Sequence, residues 1–323
     1  MNLIVEREKS LEALEARLAD LRTRPGAADS GDLRALEDKY AQLARDIFGS
    51  LTPWERVHVA RHPRRPIAPD YLACFDEFQE LHGDRHFRDD PALVGGLAKL
   101  GGRRVAVLAQ QKGRDTKDNI RRNFGMVAPE GYRKAKRLVE LAGRFGLPIV
   151  SLVDTSGADP GIGSEERAQS EAIASSLLAF AKVPVPTVAA ILGEGGSGGA
   201  LAIALCDVVI MPEHSIYSVA SPEGCAAILW GDAGRAEQAA ARLKLTSEDL
   251  KGFGIVDEIV PEPLGGAQRD GPAFVLRVLE RIERTLERLA RQPVAELLAA
   301  RHEKYRRIGA WHDELHRAVA AGT

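Results

Sequence analysis

The chain has 323 residues and 45% hydrophobic content, enough for one large domain with appendages, or two modest domains, around a sizeable core. Its charged residues make up 28% but nearly cancel to a net charge of -2, which argues against wholesale nucleic-acid binding. The start MNLIVEREKS sets acidic residues directly after a very short apolar stretch, unlike a signal peptide, and no apolar run reaches membrane-spanning length, so a cytoplasmic location is expected.

Along the first fifty or so residues Leu11, Leu14, Leu18 and Leu21 recur at steps of three and four, as do Leu33, Leu36, Tyr40, Leu43 and Ile47. Two such stripes separated by RTRPGAADSGD predict an antiparallel helical hairpin. Each stripe is too short to stand alone, so the hairpin packs either on this chain's own core or on another subunit. Thr52-Pro53-Trp54-Glu55 is a capping box with proline at the first helical position, and RHPRRP after it reads as a basic, proline-rich joint. VGGLAKL, a Gly101-Gly102 turn and RRVAVLAQQ predict a β-hairpin. A helix is expected from Pro129 to Phe145, with Leu138 and Leu141 on one face, then a buried strand in LPIVSLVDT and a helix from Glu165 to Phe180. TVAAIL is a second buried strand, followed by the loop GEGGSGG and a helix in ALAIAL. DVVIMP and SIYSVAS are further strands, GIVDEIVPEPLGG leaves the core, and the chain is helical from about Gly271. The cysteines Cys74, Cys206 and Cys225 match neither a zinc spacing nor a disulfide framework and read as small apolar residues.

A strand running into a glycine-rich loop that opens a helix occurs twice, in IVSLVDTSGADPGIGSEER and in TVAAILGEGGSGGALAI, which implies an α/β core with its loops gathered at one end. Whether the sheet is open or spiral is left undecided by this pattern. Between Gly193 and Gly199 five of seven residues are glycine, which permits close approach of a ligand to the backbone. The first N–H groups of the helix beginning near Gly198 lack intrahelical acceptors and favour negative charge, either a standing anion or an oxyanion that develops during reaction. Tight packing of helix on strand is the alternative. The second loop, Asp154 to Gly163, offers similar donors, while Glu165 and Glu166 fit as partners of the helix dipole. QQKGRDTKDNIRRNFGM follows a buried strand directly, and its Lys112 and Arg114 are candidates for binding phosphate or carboxylate, against the alternative of a solvated face. No Walker loop, GxSxG elbow, HExxH or EF-hand is present, the eight histidines form no evident metal cluster, and nothing links His214 to Ser197 or Ser221.

The segments QKGRDTKDNIRRNFGM, APEGYRKA, the D-T-x-G-A-x-P-G loop at Asp154, EERAQSEAIA, GEGGSGGALAI, YSVASPEGCAAILW and IVPEPLGGA resemble, in order, the alpha subunits of bacterial acetyl-CoA carboxylase carboxyltransferase. They cover nearly the whole span from Phe75 to Ala267. The family's loop usually reads D-T-P-G-A-Y-P-G; here Ser156 replaces the proline and Asp159 the tyrosine, which adds a negative charge near a site for anions.

The resemblance implies a crotonase-like spiral of ββα units. It divides the chain into an N-terminal helical segment at 1–66, a carboxyltransferase domain at 67–295 and a C-terminal helical tail at 296–323. It also implies a beta-subunit partner that carries the zinc ribbon, an assembly of two alpha and two beta chains, a biotin carboxyl carrier protein and a biotin carboxylase in the complete enzyme. Acetyl-CoA is the expected acceptor, and carboxybiotin on the carrier the donor; neither a metal nor a covalent cofactor is expected on this chain. Two oxyanions then need stabilising, and backbone donors suffice without an acid–base dyad. Gly198 and Gly199 are the expected backbone donors to the ureido oxygen of biotin, with Gly157, Gly161, Gly195, Gly196, Lys112 and Arg114 as further binding residues. The rivals are another biotin-dependent acyl-CoA carboxylase or decarboxylase, a stand-alone enoyl-CoA hydratase-like enzyme using Glu194 or Glu223, and a nucleic-acid-binding scaffold.

Overall fold

The computed structural model describes residues 3–23 and 31–309. Part of the expected turn RTRPGAADSGD, the first two residues and the end of the expected C-terminal tail lie outside the described residues. In chain order come α1 (Leu3–Arg22), α2 (Gly31–Phe48), α3 (Pro53–Ala60), α4 (Ala68–Leu72), β1 (Asp76–Glu80), β2 (Leu93–Leu100), β3 (Arg103–Gln110) and α5 (Thr116–Arg121). They are followed by α6 (Pro129–Phe145), β4 (Ile149–Thr155), α7 (Ile162–Glu166), α8 (Gln169–Lys182), β5 (Thr187–Gly196), α9 (Ser197–Ala204), β6 (Val208–Pro212) and β7 (Ile216–Ser218). The chain continues through α10 (Pro222–Trp230), α11 (Ala236–Leu243), α12 (Ser247–Gly252), β8 (Glu258–Val260), α13 (Gly271–Leu289) and α14 (Val294–Arg306). Among the described residues no helix is long and apolar enough to cross a membrane.

All eight strands belong to one sheet, ordered β1-β2-β3-β4-β5-β6-β8 with β7 paired to β5 off that path. The β2–β3 hairpin turns at Gly101 and Gly102, whose φ values of 54° and 77° are what a two-residue turn matching the strand twist requires. From β3 onward the neighbours are parallel, and parallel strands are covered on both faces. Alternation along β4 therefore sends Ile149 and Val153 into one core, with Leu138 of α6 and Phe180 of α8. Val150 and Leu152 go into the other, with Tyr71, Phe274 and Ile282. β4 holds one edge of β5 from Thr187 to Gly195. The other edge is shared, with β6 beside Val188–Ala190 and β7 beside Glu194–Gly196. The chain thus turns about β5 rather than adding strands to an open sheet, which resolves the open-or-spiral question in favour of the spiral.

Several expectations change. GEGG of GEGGSGG is strand, because β4 and β7 both pair with it. The helix expected from Glu165 to Phe180 is two helices, broken where Ala168 takes φ 63°. Asp257 and Glu258 lead not simply out of the core but into β8, which pairs with β6. The capping box at Thr52 forms in full, with the Thr52 hydroxyl accepting from Glu55 N–H and the Glu55 carboxylate accepting from Thr52 N–H.

The helical hairpin packs on this chain itself. Leu11, Ala44, Ile47 and Phe48 join Leu51 and Val59 in one cluster, and Arg269 after β8 is ion-paired with Glu15. RHPRRP is no free joint: Arg65 is buried, its guanidinium bonded to both oxygens of Glu262, to Ser215 Oγ and to the Leu192 carbonyl. At the other end Arg301 of α14 is fully buried, paired with Asp207 and donating to the carbonyls of Phe180, Val183 and Val185. Buried ion pairs therefore cross both expected segment boundaries, and removing one partner of such a pair costs about 3–5 kcal/mol.

Candidate active site

The two glycine-rich loops meet, because β4 and β5 are parallel neighbours whose ends release them on the same side. A Cβ built on Gly196 would strike the Ser156 carbonyl and lie 3.0 Å from Gly157 N. One on Gly199 would strike Ala158 N and lie 2.6 Å from Gly157 C, and one on Gly195 would lie 2.8 Å from the Tyr217 ring. Glycine at these three positions answers to close packing of backbone on backbone or ring. Gly198 differs: a Cβ there would find only Ile173, at 3.7 Å. Gly198 is half-buried in the first turn of α9, where N–H groups have no intrahelical acceptor. It opens on a cavity of about 430 Å³ whose walls include Leu201, Tyr217, Leu250, Ile255 and Tyr305. The Ser218 hydroxyl on the same wall is buried without a hydrogen-bond partner. A Cβ built on Gly157 would meet only Ser197 Cβ, at 3.8 Å, an ordinary contact. Gly161 stands apart, in an exposed turn where its N–H donates to Asp159 Oδ1.

Asp159, the unexpected negative charge, is occupied in that turn. Its carboxylate accepts from Ser164 Oγ and Gly161 N–H. Burial pushes its pKa up, but these bonds outweigh burial and hold it below the ordinary carboxylate value. The Asp159 carbonyl accepts from buried Gln169, which also donates to Val127 and so ties the loop to α8.

Lys112 does not offer a free cation. Its ammonium lies 3.0 Å from Asp154 Oδ1, at the end of β4, and 3.2 Å from Glu194 Oε2, in β5. Asp154 Oδ1 also accepts the Glu194 N–H at 3.1 Å. Arg61, which the sequence places in the supposed joint, donates to Glu194 at 2.5 Å and to Glu223 of α10 at 2.6 Å. Burial depresses the Lys112 pKa, but the two facing carboxylates outweigh it and raise it. Burial likewise raises the Glu194 pKa, and Lys112 and Arg61 outweigh it and lower it. The group ties the end of β4 to β5, where the two loops leave the sheet. It forms one wall of a second cavity of about 390 Å³, with Ser156 and Arg114 on its rim. Arg114 is exposed and, among the described residues, pairs with Asp70.

Three contributors escape a reading of the sequence. Arg61 looks like part of a basic run, and Tyr132 and Gln110 look like ordinary core and strand-end residues. Both Tyr132 Oη, at 3.2 Å, and Gln110 Nε2, at 2.7 Å, donate to the Gly199 carbonyl. A buried polar tip at a strand end beside a glycine loop is the one local signal that points to such a role.

Residues 4–309 match the family described as acetyl co-enzyme A carboxylase carboxyltransferase-like. A relative from Rhizorhabdus wittichii, the acetyl-coenzyme A carboxylase carboxyl transferase subunit alpha, is 52% identical over 312 residues, which cover 94% of this chain and 99% of the relative. The subunit of the same name from Methylococcus capsulatus is 50% identical over 310 residues, covering 95% and 97%. Among solved structures, transcarboxylase 12S with methylmalonyl-coenzyme A bound aligns with a TM-score of 0.56 at 21% identity, over 71% of this chain and 43% of that one. A Pseudomonas malonate decarboxylase hetero-tetramer in complex with coenzyme A aligns with a TM-score of 0.55 at 19% identity, over 72% and 90%. These likenesses establish the fold, the expected crotonase-like α/β spiral, and the family match with the close relatives establishes descent: the chain belongs to the acetyl-CoA carboxylase carboxyltransferase family, among its alpha subunits.

Proposed function

We propose that this chain, joined to a beta-subunit partner as two alpha and two beta chains, transfers a carboxyl group to acetyl-CoA and so makes malonyl-CoA for fatty acid synthesis. Carboxybiotin on the biotin carboxyl carrier protein, recharged by biotin carboxylase, supplies the carboxyl group and leaves with negative charge on its ureido oxygen. The observation that carries the reading is Gly198, a first-turn backbone donor facing an open, mostly apolar cavity while Gly195, Gly196 and Gly199 are filled by packing. Its N–H points its partial positive charge toward charge that develops in the transition state, in a low-dielectric setting where such a donor counts most. Leu201, Leu250 and Ile255 limit water there. The Lys112–Asp154–Glu194 group holds the loops, with both its carboxylates on the Lys112 ammonium. That counts against water addition by Glu194 or Glu223, both engaged by Arg61.

The test is reconstitution. The chain alone is expected to be nearly inactive in biotin-dependent decarboxylation of malonyl-CoA, with activity appearing when the beta subunit is added. Full activity of the chain alone would overturn the shared-site reading, and hydration of an enoyl-CoA by the chain alone would favour the hydratase-like alternative.

A further inference from the structure

The first turn of α9 is held by its carbonyl as well as by its packing. Gly199 C=O accepts from Gln110 Nε2 at 2.7 Å and from Tyr132 Oη at 3.2 Å. These donors come from separate elements, the end of β3 and the second turn of α6, and both residues are fully buried. The carbonyl belongs to the peptide unit after the Gly198–Gly199 N–H, so two fixed donors on its oxygen fix the rotation of the whole turn about its axis. Ala158 N and Gly157 C, together with the Tyr132 hydroxyl, crowd the Cα of Gly199 and leave no room for a side chain there. The arrangement carries a cost that simple packing would avoid: the Gln110 Oε1 atom is buried with no partner, so this amide gives up one of its own bonds to reach Gly199. An apolar side chain would fill the same space without that loss. Burial also pushes the Tyr132 pKa well above its ordinary value, so the hydroxyl remains a donor throughout the working pH range.

We infer that Tyr132 and Gln110 are positioning residues, which hold the turn so that the Gly198 backbone N–H is aimed at the developing oxyanion, without touching substrate. The inference rests on the proposed role of that turn as an oxyanion donor. Donors in such a site must be aligned before the charge appears, and a displacement of about 1 Å costs on the order of a hundredfold in rate.

The test uses the assembled alpha–beta complex with Tyr132→Phe and Gln110→Met, and with Gly198→Ala measured alongside. Tyr132→Phe and Gln110→Met are each expected to lower kcat for carboxyl transfer by about tenfold, with the KM for acetyl-CoA unchanged and melting within a few degrees of the parent. The double variant should fall no further than the worse single one, because both act through one carbonyl. A drop in melting temperature with a normal kcat in the folded complex would make the pair structural and overturn the inference, as would a parallel rise in KM. If only one variant assembles, it carries the test; if neither does, the pair is structural and the inference fails. If Gly198→Ala lowers transfer while the other two leave it intact, the donor reading stands and the positioning role falls. If Gly198→Ala itself transfers at the parental rate, it is the donor reading that fails.

Discussion

Gly198 and Gly199 are adjacent in sequence yet should respond oppositely to a single added methyl. At Gly199 the new Cβ would press on Ala158 N, lie 2.6 Å from Gly157 C and 2.9 Å from Tyr132 Oη. Two of these are backbone atoms of a loop anchored through Asp159 and Gln169, so little can give way. Overpacking of this kind costs about 1–3 kcal/mol, and backbone obstruction puts Gly199→Ala at the upper end, partly offset by about 1 kcal/mol of helix propensity. At Gly198 the nearest atom is Ile173 Cγ2 at 3.7 Å, an ordinary contact, and the same propensity gain is not opposed. Gly198→Ala should therefore melt at or slightly above the parental temperature. Its methyl would stand where the cavity meets the N–H, holding an incoming oxygen off, and carboxyl transfer should fall by about a hundredfold. Urea titration of each variant, then malonyl-CoA formation by the reconstituted complex, separates the two effects. A stable, assembled Gly198→Ala with the parental rate would refute the donor assignment, and a Gly199→Ala as stable as the parent would refute the packing argument.

Replacing Lys112 with Met leaves Asp154 and Glu194 facing each other without their shared cation, and should cost about 3–5 kcal/mol in urea unfolding; a loss below about 1 kcal/mol would mean that the site is better solvated than its burial suggests. Arg114→Glu breaks only an exposed pair with Asp70, so stability should change by less than about 1 kcal/mol while the KM for an anionic substrate rises; unchanged kinetics would make Arg114 part of a solvated face. His62 accepts the Arg64 N–H through Nδ1, which requires the unprotonated ring, and burial followed by nearby arginines lowers its pKa from 6.5 to about 4. A base whose folded pKa is depressed contributes stability above its unfolded pKa and loses it as pH falls, so His62→Gln should flatten the decline in melting temperature between about pH 6.5 and 4. An unchanged acid limb would assign that decline to other groups.

Much of this protein is legible before folding because its signals are local. The TPWE capping box, the Gly101-Gly102 turn, the apolar runs of β4 and β5 and the helix from Pro129 to Phe145 each depend on neighbours a few residues away. The family motifs are equally local, and they led to the α9 turn directly. What the sequence does not disclose is how partners distant along the chain divide the work. Gly195, Gly196, Gly198 and Gly199 look alike as letters, and only the approach of Tyr217 and of the Ser156–Ala158 loop makes three of them packing residues and leaves one open to the cavity. Lys112 and Arg114 read as one basic patch, but burial between Asp154 and Glu194 turns the first into a clamp and the second stays exposed to solvent beside Asp70. Arg61 and Arg65, which look like a linker, reach carboxylates on β5, on α10 and after β8. Periodicity, caps and turns are short-range properties that the order of residues carries by itself, whereas which charge is neutralised and which backbone N–H stays unobstructed depend on groups brought together only when parallel strands align their ends.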